Sequence, residues 1–162
     1  MQSLLEMGSP VGELLKARGE KVAISESSAG GLISAALLSV PGASVYYKGG
    51  GVVYTGRAMH TILQIDLKSH KGIRSSSEPY AELAAEAIRS RFSATWGLAE
   101  TGAAGPNGNG YGDASGHTCI ALAGPQNLVM TLETGIEDRE ANMWAFTEKA
   151  LEIFAETLRA QV

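Results

Sequence analysis

Cysteine and histidine are scarce in this chain of 162 residues, which limits the chemistry it can carry. The single cysteine, Cys119, has no partner for an internal disulfide, which favours a reducing compartment such as the cytoplasm. The three histidines, His60, His70 and His117, follow neither a His-x-His nor a His-Glu-x-x-His spacing. We therefore expect no bound metal, and no motif calls for a cofactor.

Long apolar runs and an excess of positive charge are also missing. No stretch reaches the about 18 apolar residues that a membrane-spanning helix needs, so we expect no membrane segment. The opening residues MQSLLEMGSP lack a basic segment followed by an apolar stretch, so no secretion signal is expected. The formal net charge of −4 argues against a nucleic-acid-binding surface. Length and composition are typical of one soluble domain over residues 1–162.

Glycine, in contrast, is abundant, with 20 residues in the chain. They are concentrated at Gly30-Gly31, at Gly49 to Gly51, and in the segment TGAAGPNGNGYGDASG. Loops carry function more often than cores do, so these segments are candidate sites. None of them matches Gly-x-x-x-x-Gly-Lys or completes Gly-x-Gly-x-x-Gly. The glycines alone therefore do not predict a nucleotide cofactor.

The hydrophobic pattern predicts strands that alternate with helices. Predicted strands lie at 21–25, 45–48, 51–55, 95–100, 117–124 and 128–134, and predicted helices lie at 10–18, 31–39, 57–64, 78–92 and from 139 onward. Ser9, Ser77 and Asp138 are the predicted helix caps, with Pro10 as the first residue of the first helix. This order, with a hairpin at residues 125–127, predicts an α/β fold. We expect a three-layer α/β/α sandwich whose mixed, mostly parallel sheet has about five strands.

Two of the glycine-bearing loops follow predicted strands: SESSAGG follows KVAIS, and ETGAAGP follows TWGLAE. In such folds ligands bind beyond the carboxyl ends of the strands, so both loops face one cleft if the two strands are neighbours. The helix that begins after the first loop offers free N–H groups to an anion or an oxyanion. Ser27 would then be placed for nucleophilic attack. The alternative is that Ser27 or Ser28 only caps this helix.

The order of motifs resembles the C-terminal domain of the competence/damage-inducible CinA family over nearly the whole chain. SESSAGG (25–31) resembles the family pattern A-E-S-C-T-G-G, and SVPGAS (39–44) resembles D-V-P-G-S-S. KGGGVVYTG (48–56) is similar to R-G-F-V-T-Y-S-N, and TGAAGPNGN (101–109) is similar to T-G-I-A-G-P-x-G-G. The segment Glu137-Asp138-Arg139 resembles the family's G-D-R before the last helix.

This resemblance implies a three-layer α/β/α domain that acts as a metal-free serine amidohydrolase, since the family's enzymatic members hydrolyse the amide of nicotinamide mononucleotide. The family's nucleophilic serine falls on Ser27. The implied ligand is a small phosphorylated molecule similar to nicotinamide mononucleotide, and a homo-oligomer is expected because related domains commonly self-associate. The expected substrate-binding residues are Glu26, Ser28, Gly30, Gly31, Tyr54, Arg57, Thr101, Gly102, Ala104, Gly105 and Arg139.

One position departs from the family pattern in a way that affects the chemistry. The family's general base, the lysine of Y-S-N-x-A-K, falls on Met59 in YTGRAMH. A thioether cannot accept a proton from a serine hydroxyl, and an unassisted serine is a weak nucleophile near neutral pH. Ser28, Ala29 and Gly56 also replace the family's Cys, Thr and Asn, and DASG replaces its E-K-P-V-G.

Several residues are candidates for a substitute base. Arg57 stays protonated and is better suited to binding a phosphate. His60 is a titratable candidate, but one step along a helix turns it about 100° from the methionine position. Glu26, Lys48 and His117 qualify only if the fold brings them within hydrogen-bond reach. Three hypotheses remain open: an amidohydrolase with altered machinery, a catalytically silent member that binds a nucleotide-like anion, and an interaction module.

Overall fold

A five-stranded sheet lies between two layers of helices in the computed structural model, which describes residues 1–161. Its strands are β1 (Val22–Glu26), β2 (Tyr47–Val52), β3 (Trp96–Ala103), β4 (His117–Ala123) and β5 (Leu128–Glu133). They are arranged in the order β2-β1-β3-β4-β5. β1 is parallel to β2 and β3, and β4 is antiparallel to β3 and β5, so β4 alone runs against the other strands of this sheet. The predicted mixed, mostly parallel sheet is confirmed.

The helices cover both faces of this sheet. They are α1 (Leu4–Arg18), α2 (Leu32–Leu38), α3 (Gly56–Ala58), which continues as a π-helical turn over Met59–Leu63, α4 (Glu78–Arg91) and α5 (Arg139–Ala160). Ile24 and Leu98 pack with residues of α1, α2 and α5 on one face. Ala23 and Ala99, one residue along each strand, pack with residues of α4 and the π-helical turn on the other. The predicted three-layer α/β/α architecture is therefore confirmed.

The start of α1 differs from the prediction. The helix is capped by Ser3, whose hydroxyl accepts from the Glu6 amide while the Glu6 carboxylate accepts from the Ser3 amide. This capping box satisfies two backbone donors at once, so the helix begins earlier than Pro10. Ser9 lies inside the helix and donates to Leu5 O, so the predicted cap at Ser9 is wrong. The end at Gly19 is confirmed, with φ +66.

The glycines at 49–51 lie inside β2 and do not separate two strands as predicted. Gly49 and Gly50 have φ values of +150 and +158, which residues with a Cβ rarely adopt. A Cβ at Gly50 would lie 1.9 Å from Ile24 O on β1. Glycine therefore lets the two backbones approach within one continuous strand.

The predicted caps of α4 and α5 are confirmed, whereas β3 extends three residues beyond its predicted end at residue 100. Ser77 caps α4 by accepting from Tyr80 N, and Asp138 caps α5 by accepting from Ala141 N. β4 and β5 form the predicted hairpin. Among residues 1–161, no helix combines the length and the apolar character that crossing a membrane requires. β1 and β3 are parallel neighbours, so the loops that follow them leave the same edge of the sheet.

Candidate functional site

A cleft of about 250 Å³ lies where the loops after β1 and β3 meet the segments 53–59 and 75–80. Its wall is rich in hydroxyl groups and carries the amide of Asn109. The lysine, arginine, histidine and carboxylate side chains of residues 1–161 do not line it. The hydroxyl-bearing residues of the wall are Ser27, Tyr54, Thr55, Ser75, Ser76, Tyr80, Thr101 and Tyr111.

Ser27 is half-buried and lines this cleft together with Thr101 and Gly102 near the end of β3. Within the described part of the chain its hydroxyl makes no hydrogen bond, whereas its backbone N–H donates to Glu100 Oε2 at 3.0 Å. The N-cap position of α2 is Gly31, which has no side chain to accept a hydrogen bond. Ser27 therefore lines the cleft and does not cap the helix.

Glu100, inside β3, holds the serine loop in place. Its Oε2 accepts from the amides of Ser27 (3.0 Å) and Ala29 (2.9 Å). Its Oε1 accepts from the Ser28 hydroxyl and from Thr118 Oγ1 at 2.8 Å. These four bonds occupy the acceptor sites of a carboxylate, so Glu100 has no lone pair left for a substrate proton. Sequence reasoning missed Glu100, although a carboxylate in a predicted buried strand is a usable signal.

Glu26 is fully buried and caps the N-terminus of α2. Its Oε1 accepts from the amides of Gly31 (2.8 Å) and Ile33 (3.1 Å), and its Oε2 accepts from Ser34 N at 2.9 Å. Burial raises the pKa of Glu26 even though these bonds oppose the rise. The helix N–H groups expected to receive an anion are thus already occupied. The expected substrate contact of Glu26 is corrected to a capping role inside the protein.

A second cavity of about 260 Å³ adjoins the first and shares Tyr54, Gly102 and Asn109 with it. Arg139, at the start of α5, lines this cavity. Its guanidinium donates to Gly105 O and, at 3.0 Å, to the Tyr54 hydroxyl. A positive charge therefore stands beside the neutral cleft.

Most of the expected site residues line one or both of the two cavities. Ser27, Tyr54, Thr101 and Gly102 line the first cavity, and the second cavity is lined by Ser28, Tyr54, Gly102, Ala104, Gly105 and Arg139. The remaining residues line neither cavity. Gly30 is exposed in the loop, Gly31 begins α2, and Arg57 is exposed on α3. A substrate contact at these three positions and at Glu26 has no support from the geometry of the cleft.

Met59 lies in the wall of the Ser27 cleft, where it is 7% exposed. Its side chain belongs to the apolar cluster that also contains Leu63, Tyr80 and Ile88 on the α4 side of the sheet. An apolar side chain thus occupies the position that the resemblance assigns to the general base, and this position lies in the wall of the Ser27 cleft.

The other candidate bases are not available in this cleft. His60 and Lys48 are exposed and do not line it. His117 has both ring nitrogens engaged, one with Glu133 and one with the carbonyl of Ser76. Burial raises the pKa of Tyr80 to about 12, so this phenol keeps its proton at neutral pH. The described residues thus place no proton acceptor beside Ser27.

Sequence reasoning missed several residues that line the cleft: Ser75, Ser76, Asn109 and Tyr111. Asn109 and Tyr111 lie in the long glycine-rich segment after β3, which indicated a functional loop but not which of its side chains face inward. Ser75 and Ser76 precede the predicted cap of α4, and only the tertiary structure brings them to Thr101.

The fold and the cleft define a class of protein: a three-layer α/β domain in which a serine loop and a glycine loop meet beyond neighbouring parallel strands. The family model for the CinA C-terminal domain matches residues 5–158. The chain belongs to this family.

Relatives and solved structures agree with this assignment. A CinA-like protein from Acaryochloris marina is 37% identical over 118 residues, which are 73% of this chain and 28% of that protein. One from Nostoc is 35% identical over 127 residues, covering 78% and 30% respectively. The chain thus spans about a third or less of these curated relatives.

Among solved structures, a competence-damaged protein (CinA) superfamily protein from Klebsiella pneumoniae superimposes with a TM-score of 0.91 at 25% identity, covering 98% of this chain and 99% of that one. The competence/damage inducible protein CihA from Agrobacterium tumefaciens gives a TM-score of 0.88 at 25% identity, with the same coverage of the two chains. The fold predicted from the sequence is therefore one that experiment has found in this family.

Proposed function

We propose that the Ser27 cleft binds a small phosphorylated amide of the nicotinamide mononucleotide kind, on an amidohydrolase scaffold that lacks the general base. The observation that carries this proposal is the open Ser27 hydroxyl in a cleft where Met59 takes the place of a proton acceptor. The cleft thus binds the phosphorylated amide but hydrolyses it slowly or not at all.

The two adjoining cavities fit the two ends of such a ligand. The hydroxyl-lined cavity at Ser27 suits the neutral carboxamide, because its wall offers hydrogen bonds and carries no charged side chain. The second cavity carries the guanidinium of Arg139. An arginine binds a phosphate through charge-assisted hydrogen bonds, so this cavity suits the anionic end.

Hydrolysis of the amide needs more than a free hydroxyl. Attack by Ser27 Oγ would form an ester and release ammonia, and water would then release the carboxylic acid. The serine proton needs an acceptor, and the developing oxyanion needs free N–H donors. The amides of Ser27 and Ala29 are already bound to Glu100. The second candidate function, slow amide hydrolysis, is favoured only by the exposed hydroxyl of Ser27.

Thermal unfolding with added ligands tests binding, because a ligand that binds only the folded state stabilises it by about 2.7 kcal/mol at 100 times its Kd. Nicotinamide mononucleotide should raise the Tm more than nicotinamide riboside does, and inorganic phosphate should compete with it. Ammonia release measured in parallel should be near the uncatalysed rate. Equal affinity for the nucleoside, which lacks the phosphate, would argue against a phosphate site. No stabilisation by any of these compounds would favour an interaction module.

A further inference from the structure

Ser76 in the wall of the Ser27 cleft has an unusual backbone. It is buried and has a φ of +57, in the left-handed region that non-glycine residues seldom occupy. Such conformations persist only where the surroundings fix them, and they are often found at functional sites. The N–H of Ser76 donates to Thr101 Oγ1 at 3.0 Å, and Thr101 also lines the cleft. The backbone of Ser76 therefore fixes the position of two cleft residues.

His117 holds the carbonyl of Ser76 from the other side. This buried histidine at the start of β4 contacts Ser76 O through Nε2 at 2.8 Å and Glu133 Oε1 through Nδ1. A carbonyl and a carboxylate both accept hydrogen bonds, so each ring nitrogen has to donate one. The geometry therefore requires a ring with two protons, which carries a positive charge.

The charged groups around this ring favour that state. Glu133 faces it from β5, and Asp113 Oδ2, in the loop before β4, lies 3.6 Å from Nε2. Arg74 binds Asp113 with two hydrogen bonds of 2.7 and 3.1 Å, and its Nη1 also donates to Ser76 O at 3.3 Å. The Cys119 thiol lies 3.7 Å from Nε2, and Glu78 of α4 approaches the same region of β5 through a bond to Thr131.

Together these effects raise the pKa of the His117 ring. Burial by itself would lower the pKa of His117. The hydrogen bonds to Glu133 and to the Ser76 carbonyl, together with the charge of Asp113, outweigh burial and raise that pKa.

We propose that His117, as an imidazolium, is a positioning residue for the Ser27 cleft and makes ligand binding there dependent on pH. It holds the backbone of Ser76, and through it Thr101, in the wall that faces the ligand. Loss of one ring proton leaves one donor for two acceptors, and the carboxylate of Glu133 is the stronger acceptor, so Ser76 O loses its bond from Nε2. The part of this inference that concerns binding rests on the proposed function.

The direction of the pH effect follows from the raised pKa. A histidine that binds its proton more tightly in the folded protein contributes fully below the unfolded value, about 6.5. The contribution is lost as the pH rises through the higher folded value. Binding in the cleft should therefore weaken as the pH rises through the folded pKa of His117, which lies above the ordinary value of 6.5.

The first arm of the test needs no ligand. NMR spectra of the full chain between pH 5.5 and 9 should show the His117 ring and the Ser76 and Thr101 amides changing with one shared midpoint. Glu133→Gln should lower that midpoint, since a neutral amide replaces the carboxylate. His117→Gln should abolish the pH dependence of Ser76, whereas the control His70→Gln should leave it unchanged. If His117 titrates and Ser76 does not follow, the inference is overturned.

The second arm measures the Kd of nicotinamide mononucleotide at pH 6 and pH 8.5. The ratio of the two values in wild type should exceed the ratio in His117→Gln by about tenfold, the size of one charged hydrogen bond. The comparison with the variant removes the titration of the ligand's own phosphate. Equal ratios in the two proteins would overturn the inference. Absence of binding at either pH, with a positive first arm, would overturn the proposed function and the pH-dependent binding but leave the positioning of Ser76 by His117 intact.

Discussion

Ser27 and Met59 line the same cleft, one at the end of β1 and the other at the start of the π-helical turn. The hydroxyl of Ser27 makes no hydrogen bond within the described residues, and the side chain of Met59 is 7% exposed. A serine and an apolar side chain at the position expected for the base therefore line one cavity of about 250 Å³. This pairing favours a site that binds an amide substrate and hydrolyses it poorly.

Replacement of Arg139 by alanine should weaken the binding of nicotinamide mononucleotide by about tenfold or more, because a charge-assisted hydrogen bond is lost. Binding of nicotinamide riboside should change much less. Arg57→Ala is the matched control, since Arg57 is exposed and lines neither cavity. Isothermal titration with both ligands measures the effect. An equal loss in the two variants would indicate a general effect of positive charge and no specific phosphate contact at Arg139.

Replacement of Glu26 by alanine should destabilise the fold by roughly 2–4 kcal/mol, because the amides of Gly31, Ile33 and Ser34 lose their acceptors. Urea unfolding at neutral pH measures the loss. Glu13→Ala is the control: Glu13 is mostly exposed in an ion pair with Lys16, and its loss should cost less than about 0.5 kcal/mol. A similar small change in both variants would contradict the capping role.

The same carboxyl predicts a pH dependence of stability. Burial raises the pKa of Glu26 above its ordinary value of 4.5, so the folded protein binds this proton more tightly than the unfolded chain does. Stability from this group therefore falls as the pH rises from about 4.5 through the folded value. The difference in unfolding free energy between wild type and Glu26→Gln should decrease over that window. A difference that grows with pH would show that the carboxylate is stabilised in the folded state.

Gly50→Ala should destabilise the protein by more than about 2 kcal/mol or prevent folding, because its Cβ would lie 1.9 Å from Ile24 O. Gly110→Ala is the control, since no atom lies within 4 Å of the Cβ position there. Thermal unfolding of both variants provides the measurement. An unchanged Tm for Gly50→Ala would contradict a continuous β2 that passes close to β1.

The sequence predicted the layers of the fold because local signals and packing agree in most elements. The caps at Ser77 and Asp138 and the β4–β5 hairpin combine turn chemistry with a regular apolar pattern. The prediction of a break at glycines 49–51 was wrong, because the close approach of two backbones arises from the tertiary structure and has no signal in the sequence. At α1, the capping box at Ser3 is a local signal that was overlooked in favour of Pro10.

Part of the site was predictable because two of its loops carry local sequence signals. The serine loop and the glycine loop have local motifs, and β1–β3 pairing brings them together as expected. Two features of the site depend on groups that meet only in the folded chain. Glu26 accepts hydrogen bonds from the amides of α2, and His117 contacts the carbonyl of Ser76. Such contacts between distant residues leave no periodic signal in a single sequence.

Ammonia release from nicotinamide mononucleotide by Met59→Lys tests the central claim most directly. General-base assistance is worth about 10²–10⁴-fold in rate, and misplacement by ~1 Å costs about 10²-fold, so a partial gain over wild type is expected. The rate should climb with pH towards the pKa of the new lysine, which burial lowers. Met59→Leu should give no gain, and Ser27→Ala in the Met59→Lys background should abolish it. Brisk hydrolysis by wild type at neutral pH would contradict the account, because it would require a base that the described cleft does not contain.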